Sequence, residues 1–229
     1  MTDKQKGMNQ IQRLGWGSLG RAPSGPGVYA WYLEPEITNF DLDTLIMDIG
    51  DRLRADDRAG AEAAVERLLS EKVMRPFRQD PYLVSMTGQL KPPHSGLAHH
   101  DQRVSKSLVS RIVEEPLRLR SLRDFLTASA PNFASPLYIG MSDHLRGRLS
   151  THRSLIERFR ECRAHGPLSP PSSAVEQTEE AGFARRVVDR GIAPTRLFVM
   201  VCETTELAGL HVDAENILNR LYFPILGRN

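Results

Sequence analysis

The spacing of hydrophobic positions changes period several times along the chain, and each change marks an element. Gly27-Val28-Tyr29-Ala30-Trp31-Tyr32-Leu33 is β-branched and aromatic and follows turn residues directly, which predicts a strand. Residues 1–26 before it are polar and rich in Gly and Pro and read as a loop. From Asp41 to about Arg75 the period turns helical. Leu42, Leu45, Ile46 and Ile49 form a first stripe, and Ala63, Ala64, Leu68, Leu69 and Val73 form a second. A break falls at Asp57 or Gly60, and Pro76 closes the pair. Tyr82–Met86 reads as a short strand and Lys91–Gly96, with its Pro-Pro pair, as a loop. Helices are expected over Ser105–Val113 and Leu117–Ala128.

Asn132–Ser135 then leads into a second tyrosine strand, Pro136-Leu137-Tyr138-Ile139-Gly140. In the helix after it, Leu145, Leu149, His152, Leu155, Ile156 and Phe159 share one side, with arginines on the other. Leu168–Ser173 is an irregular linker, Phe183–Asp189 a helix, and Arg196–Cys202 a continuous apolar strand. The last helix starts at Thr205 or His211 and runs to Tyr222, where Pro224 stops it. Short strands with helices laid on them predict a small α/β (α+β) sandwich.

Composition adds class and compartment. The 229 residues are 40% hydrophobic and 25% charged, as in globular proteins, and no apolar run is long enough for a membrane span. The first residues carry charge but no apolar core, so no secretory signal is expected. Cys162 and Cys202 are too few for a disulfide framework and lack zinc-ligand spacing, which points to reduced thiols and a cytoplasmic protein. Net charge is only +2, but it is unevenly spread. Leu33–Asp80 holds 12 acids and 7 bases, whereas Lys91–Arg163 holds 13 bases and 7 acids. A basic stretch of that kind is either a phosphate-binding footprint or a solvated helical surface.

Five residues stand out as candidate chemistry. Tyr29 and Tyr138 each sit in a strand that also holds a glycine, Arg148 and His152 are one helical turn apart, and Glu215 lies in an otherwise apolar helix. Together they form a phosphodiesterase kit. The carboxylate holds a hard divalent cation, the guanidinium neutralises phosphate charge, and a phenol of lowered pKa deprotonates water. Each also has a structural reading: packed tyrosines, a solvated arginine, a hydrogen-bonded core histidine and a surface glutamate.

The ordered set resembles the GIY-YIG nuclease superfamily. Gly27-Val28-Tyr29 and Leu137-Tyr138-Ile139-Gly140 resemble its paired signatures, and Leu145, Arg148, Leu149 and His152 continue the second in register. AENILNRLYFPILGRN resembles its metal-binding helix, with Glu215 and Pro224 in place and either Asn219 or Asn229 as the asparagine. The resemblance spans residues 27–33 and 136–229, so residues 34–135 are an unusually long, mainly helical insertion, and 1–26 an N-terminal extension. It implies a small three-stranded mixed sheet flanked by helices, with Mg²⁺ or Mn²⁺ on Glu215. Tyr29 would orient or deprotonate water, Tyr138 would hold water or phosphate, Arg148 would bind phosphate and His152 would relay protons.

The activity expected is cleavage of double-stranded DNA of the restriction or defence type, with a homodimer suited to a symmetric site. The alternatives are a nicking or structure-specific nuclease of repair or mobile elements, and a non-catalytic nucleic-acid-binding module of the same fold. For a single-stranded substrate, Trp31 and Tyr82 are the candidate base-stacking aromatics. In the insertion, Lys91, Arg103, Lys106, Arg111, Arg118, Arg120 and Arg123 are the expected phosphate contacts, and the acidic first half is expected to face a partner or second subunit.

Overall fold

The computed structural model describes residues 11–78, 81–89, 91–99, 103–165, 179–204 and 209–227. The expected linker Leu168–Ser173, the alternative helix start at Thr205, and Asn229 lie outside the described residues. The chain divides into two compact units, Met1–Pro35 with Leu126–Asn229, and Glu36–Phe125.

The first unit is a four-stranded sheet with helices on it. Its strands are β1 (Ile11–Gly15), β2 (Gly27–Leu33), β5 (Tyr138–Ser142) and β6 (Leu197–Glu203), in the order β1-β6-β2-β5. Its helices are α5 (Leu145–His165), α6 (Glu179–Asp189) and α7 (Leu210–Tyr222). Each described pairing is antiparallel, so the expected three-stranded mixed sheet is corrected on both number and direction. The added strand comes from residues read as loop. β1 buries only Leu14, so no alternation of apolar residues announced it; it forms because it pairs with the outer edge of β6.

β2 is central and almost wholly buried, which is why its sequence is apolar without alternation. Its Tyr29 and Trp31 share a face with Gly140 and Tyr138, their cross-strand partners on β5. Phe183 of α6 stacks on Trp31 at 5.9 Å between ring centroids and lies 4.9 Å from the Tyr138 ring. On the opposite face Tyr32 stacks on Phe198, its partner on β6, at 5.2 Å.

The second unit contains α1 (Asn39–Arg54), α2 (Arg58–Leu68), α3 (Lys106–Glu114), the first part of α4 (Arg118–Phe133), and a hairpin of β3 (Tyr82–Gly88) and β4 (Lys91–Ala98). Leu42, Leu45, Ile49, Ala64, Val65, Ile112 and Val113 lie in its core. Thr38 and Asp41 close a reciprocal capping box at the start of α1, and Asp57 caps α2 through the Gly60 amide at 2.8 Å. The break expected at Asp57 or Gly60 is this cap.

Two further expectations are corrected. Lys91–Gly96 is strand rather than loop. The Pro92–Pro93 pair falls at an irregularity, where Gly88 faces Lys91 and Met86 faces His94, so both prolines oppose Thr87 alone. A bulge tolerates missing N–H donors, which is why two prolines do not end the strand. Asn132 and Phe133 belong to the end of α4, and extended chain begins only after them. Among the described residues no helix is long and apolar enough to cross a membrane. Cys162 and Cys202 are both free thiols.

Candidate functional site

Two glycines explain how the tyrosine strands come so close. A Cβ on Gly140 would lie 2.6 Å from the Tyr29 hydroxyl oxygen, 2.7 Å from its Cζ and 2.8 Å from Cε1 of Tyr138. The Tyr29 ring therefore crosses over β5 at the one cross-strand position that has no side chain. A Cβ on Gly27 would meet the Cys202 carbonyl oxygen at 2.3 Å and Leu145 at 2.8 Å, so β2, β6 and the start of α5 also need a glycine there. Both glycines of the paired motifs are thus required by close approach.

The Tyr29 hydroxyl then meets His152 of α5, with 2.7 Å between Oη and Nε2. The Tyr29 and Tyr138 ring centroids are 6.2 Å apart, and the His152 ring packs edge-on to both, at 5.5 Å and 5.7 Å. Phe183 closes the back of the group, 5.3 Å from the imidazole. Tyr29 is 2% exposed, Tyr138 7% and His152 0%.

Burial sets the charge state. Desolvation, reinforced by the nearby Arg148 guanidinium, lowers the His152 pKa to about 3, so the imidazole is neutral at physiological pH. Its Nδ1 is buried with no hydrogen-bond partner among the described residues. Desolvation also raises the Tyr29 phenol well above its ordinary value. Tyr138 adds to the rise, Arg148 opposes it, and Glu215 adds a smaller part. This corrects the expected lowered phenol pKa. Arg148 acts in the expected direction, but burial outweighs it.

Glu215 and Arg148 are the half-buried members. Arg148 precedes His152 by one helical turn, and its charge is felt by both His152 and Tyr29. Glu215 sits on α7, which packs on β5 and β2. Desolvation raises its carboxyl pKa, against the pull of Asn219 and Arg220. Asn219 donates its amide to Glu215 Oε1 at 2.6 Å. Of the two asparagines the sequence offered, Asn219 is therefore the one seen beside the carboxylate.

α7 is held at both ends. Phe223 adopts a left-handed conformation after its last turn, and the Leu226 amide donates to the Leu137 carbonyl at 2.6 Å. At its first turn, buried His211 places Nε2 3.1 Å from Asp143, in the loop after β5. His211 is not among the five residues that the sequence motifs single out. The signal was available, since His211, Glu215 and Asn219 recur every four residues along one helical face.

The donor set tests the expected metal. Among the described residues no group of three or more His, Cys, Asp or Glu side chains is placed to hold an ion. Mg²⁺ and Mn²⁺ are held in many sites by only one or two carboxylates, so a single glutamate is a chemically suitable donor. Glu215, with Oε1 held by Asn219, is the residue that would provide the carboxylate.

The basic stretch of the second unit is less available than its composition implied. Arg118 pairs with Glu115, Arg120 with Asp43, and Arg123 with Asp124 and Asn39. Acids of α1 and α2 are likewise engaged within the unit in part, Asp41 with Lys72 and Glu62 with Arg58. Lys91 lies on β4, Arg103 just before α3, and Lys106 and Arg111 on α3; all four are exposed. Trp31, considered for base stacking, is 0% exposed and instead forms core, whereas Tyr82 is 54% exposed on β3. No protein family, curated protein or solved structure matches the chain.

Proposed function

We propose that this chain is a metal-dependent endonuclease of the GIY-YIG type that hydrolyses DNA phosphodiester bonds, in restriction or defence. The observation that carries the reading is the Tyr29–His152 hydrogen bond of 2.7 Å, in a buried group that feels both the Arg148 and the Glu215 charge. A packing tyrosine does not need a neutral buried histidine, a guanidinium and a carboxylate around it. Phosphoryl transfer can use each of them, as hydrogen-bond acceptor, phosphate clamp and metal ligand.

In this reading the Arg148 guanidinium holds the scissile phosphate and offsets the charge that develops on its oxygens. Glu215 would hold Mg²⁺ or Mn²⁺, which would supply Lewis-acid polarisation of a phosphoryl oxygen when bound. Tyr29 is not a standing phenolate, because burial holds its proton. It works as the middle of a chain instead. Its hydroxyl donates to the neutral Nε2 of His152, which leaves the phenol oxygen to accept a hydrogen bond from the attacking water and orient it. Tyr138 orients the water or the phosphate from the adjacent strand. The lowered His152 pKa keeps the acceptor unprotonated across the working pH range.

The test uses the full chain with supercoiled plasmid DNA. Mg²⁺ is expected to give nicked or linear product, and EDTA to abolish it. Protein that binds the plasmid but leaves it uncut with both Mg²⁺ and Mn²⁺ supports the non-catalytic module instead.

A further inference from the structure

We propose that the recess between the C-terminal ends of α5 and α6 is a second DNA contact, which holds one sugar–phosphate unit away from the reacting phosphodiester. The recess has a volume of about 320 Å³, within the range of small-ligand sites. Val188 and Ile192 are its buried residues, and Arg160 and Arg163 its exposed cations. Its shape follows from how α6 ends. The Gly191 amide donates to the Val188 carbonyl at 3.0 Å and the Ile192 amide to the Val187 carbonyl at 3.1 Å. Gly191 takes the left-handed conformation this paired ending requires, with φ of +67°. The ending folds Ile192 back beside Val188.

Charge selects an anion. Arg163 donates from Nη1 to the same Val188 carbonyl and makes no other bond among the described residues. That bond fixes the guanidinium without neutralising it, because a helix end carries only about half a negative charge. Arg160 has neither an ion pair nor a hydrogen bond among the described residues. No acid is among the residues that line the recess. Arg118, Arg120 and Arg123 differ, since each is paired with a carboxylate.

The lining and the helix together favour a DNA backbone. Apart from the arginines, the lining is aliphatic or glycine, with no aromatic on which a base could stack. It suits a deoxyribose beside a phosphate, and a contact of that kind carries no sequence preference. Arg160 and Arg163 also share α5 with Arg148. At 1.5 Å per residue they stand about 18 and 22 Å along the helix from it, and Arg163 only about 60° round the axis. A strand running along α5 has one phosphate per roughly 3.4 Å, so it reaches the recess about five or six phosphates from the one at Arg148. A free anion would make no use of that alignment.

The site rests on the reading that the chain acts on DNA, but its test needs no cleavage. Binding of the full chain to a labelled duplex of about 30 base pairs is followed by fluorescence anisotropy in EDTA over a range of salt. Arg160→Ala is expected to weaken binding roughly fivefold, whatever the duplex sequence, and to lower the slope of log affinity against log salt by about one. Arg160→Ala/Arg163→Gln is expected to lower that slope by about two. Arg54→Ala, at an exposed ion-paired position on α1, is expected to bind as wild type does. Arg163 also holds the end of α6, so Ala164→Glu gives a second reading that leaves that bond in place. It adds a carboxylate at an exposed edge of the recess and is expected to weaken binding as Arg160→Ala does. Unchanged affinity and slope in Arg160→Ala and Ala164→Glu, or a wild type that binds no duplex, overturns the site. Variants that bind more weakly although wild type never cuts would keep the site and remove the nuclease reading instead.

Discussion

Replacing His152 by Gln should remove a specific part of the acid sensitivity of the sheet unit. The unfolded imidazole titrates near 6.5, and the folded one at about 3 because burial and Arg148 disfavour its charge. Above pH 6.5 both states are neutral and the group contributes no pH dependence. Between 6.5 and about 3 the unfolded chain binds a proton that the folded protein refuses, so stability falls as pH falls. The slope is about 1.4 kcal/mol per pH unit, which gives a loss of roughly 2 kcal/mol from pH 7 to pH 5. For a chain of this size that is a drop of about 4–8 °C in Tm.

His152→Gln keeps a neutral acceptor for the Tyr29 hydroxyl but has nothing to titrate. Both tryptophans, Trp16 and Trp31, lie in the sheet unit, so urea unfolding followed by tryptophan fluorescence reports that unit alone. Wild type should lose about 2 kcal/mol more than His152→Gln between pH 7 and pH 5. The other histidines are common to both proteins and cancel in the difference. A difference under about 0.5 kcal/mol, a third of one pH unit's worth, would refute a buried neutral imidazole.

Two shorter predictions concern the same group. Gly140→Ala forces a methyl into the Tyr29 ring and breaks its contact with His152. It should cost about 2–4 kcal/mol by overpacking and loss of a buried hydrogen bond, and an unchanged Tm would show that the rings yield freely. Asn219→Ala frees Glu215 Oε1 and should raise the Mg²⁺ concentration for half-maximal cleavage by about tenfold with little change in Tm. An unaltered Mg²⁺ dependence would remove Asn219 from the site.

Much of the sheet was legible because burial on both faces leaves an apolar record. β2 and β6 are nearly continuous apolar strands, and β5 is apolar around its glycine. β1 left no such record, since an edge strand that buries only Leu14 is held by backbone pairing, which any sequence can supply. β4 was hidden by Pro92 and Pro93, whose usual meaning is overridden by a bulge. In the candidate site, helical spacing alone placed Arg148 with His152. Their meeting with Tyr29 depends on tertiary packing, whereas the four-residue repeat of His211, Glu215 and Asn219 is visible in the sequence itself.

The direction of the Tyr29 pKa was beyond the sequence, because the competition is decided by how completely its neighbours exclude water. The charge asymmetry misled for a related reason. Arg120 and Asp43 are far apart in the sequence yet form an ion pair, so a local count of bases overstates the free positive charge.

The most direct test of the account is single-turnover cleavage of supercoiled plasmid with Mg²⁺ by wild type and by Glu215→Ala, with fold checked by tryptophan fluorescence. The account predicts cutting by wild type and a loss of at least a hundredfold in the variant, which is about 2.7 kcal/mol of transition-state stabilisation. Cleavage by a folded Glu215→Ala protein at the wild-type rate would contradict it.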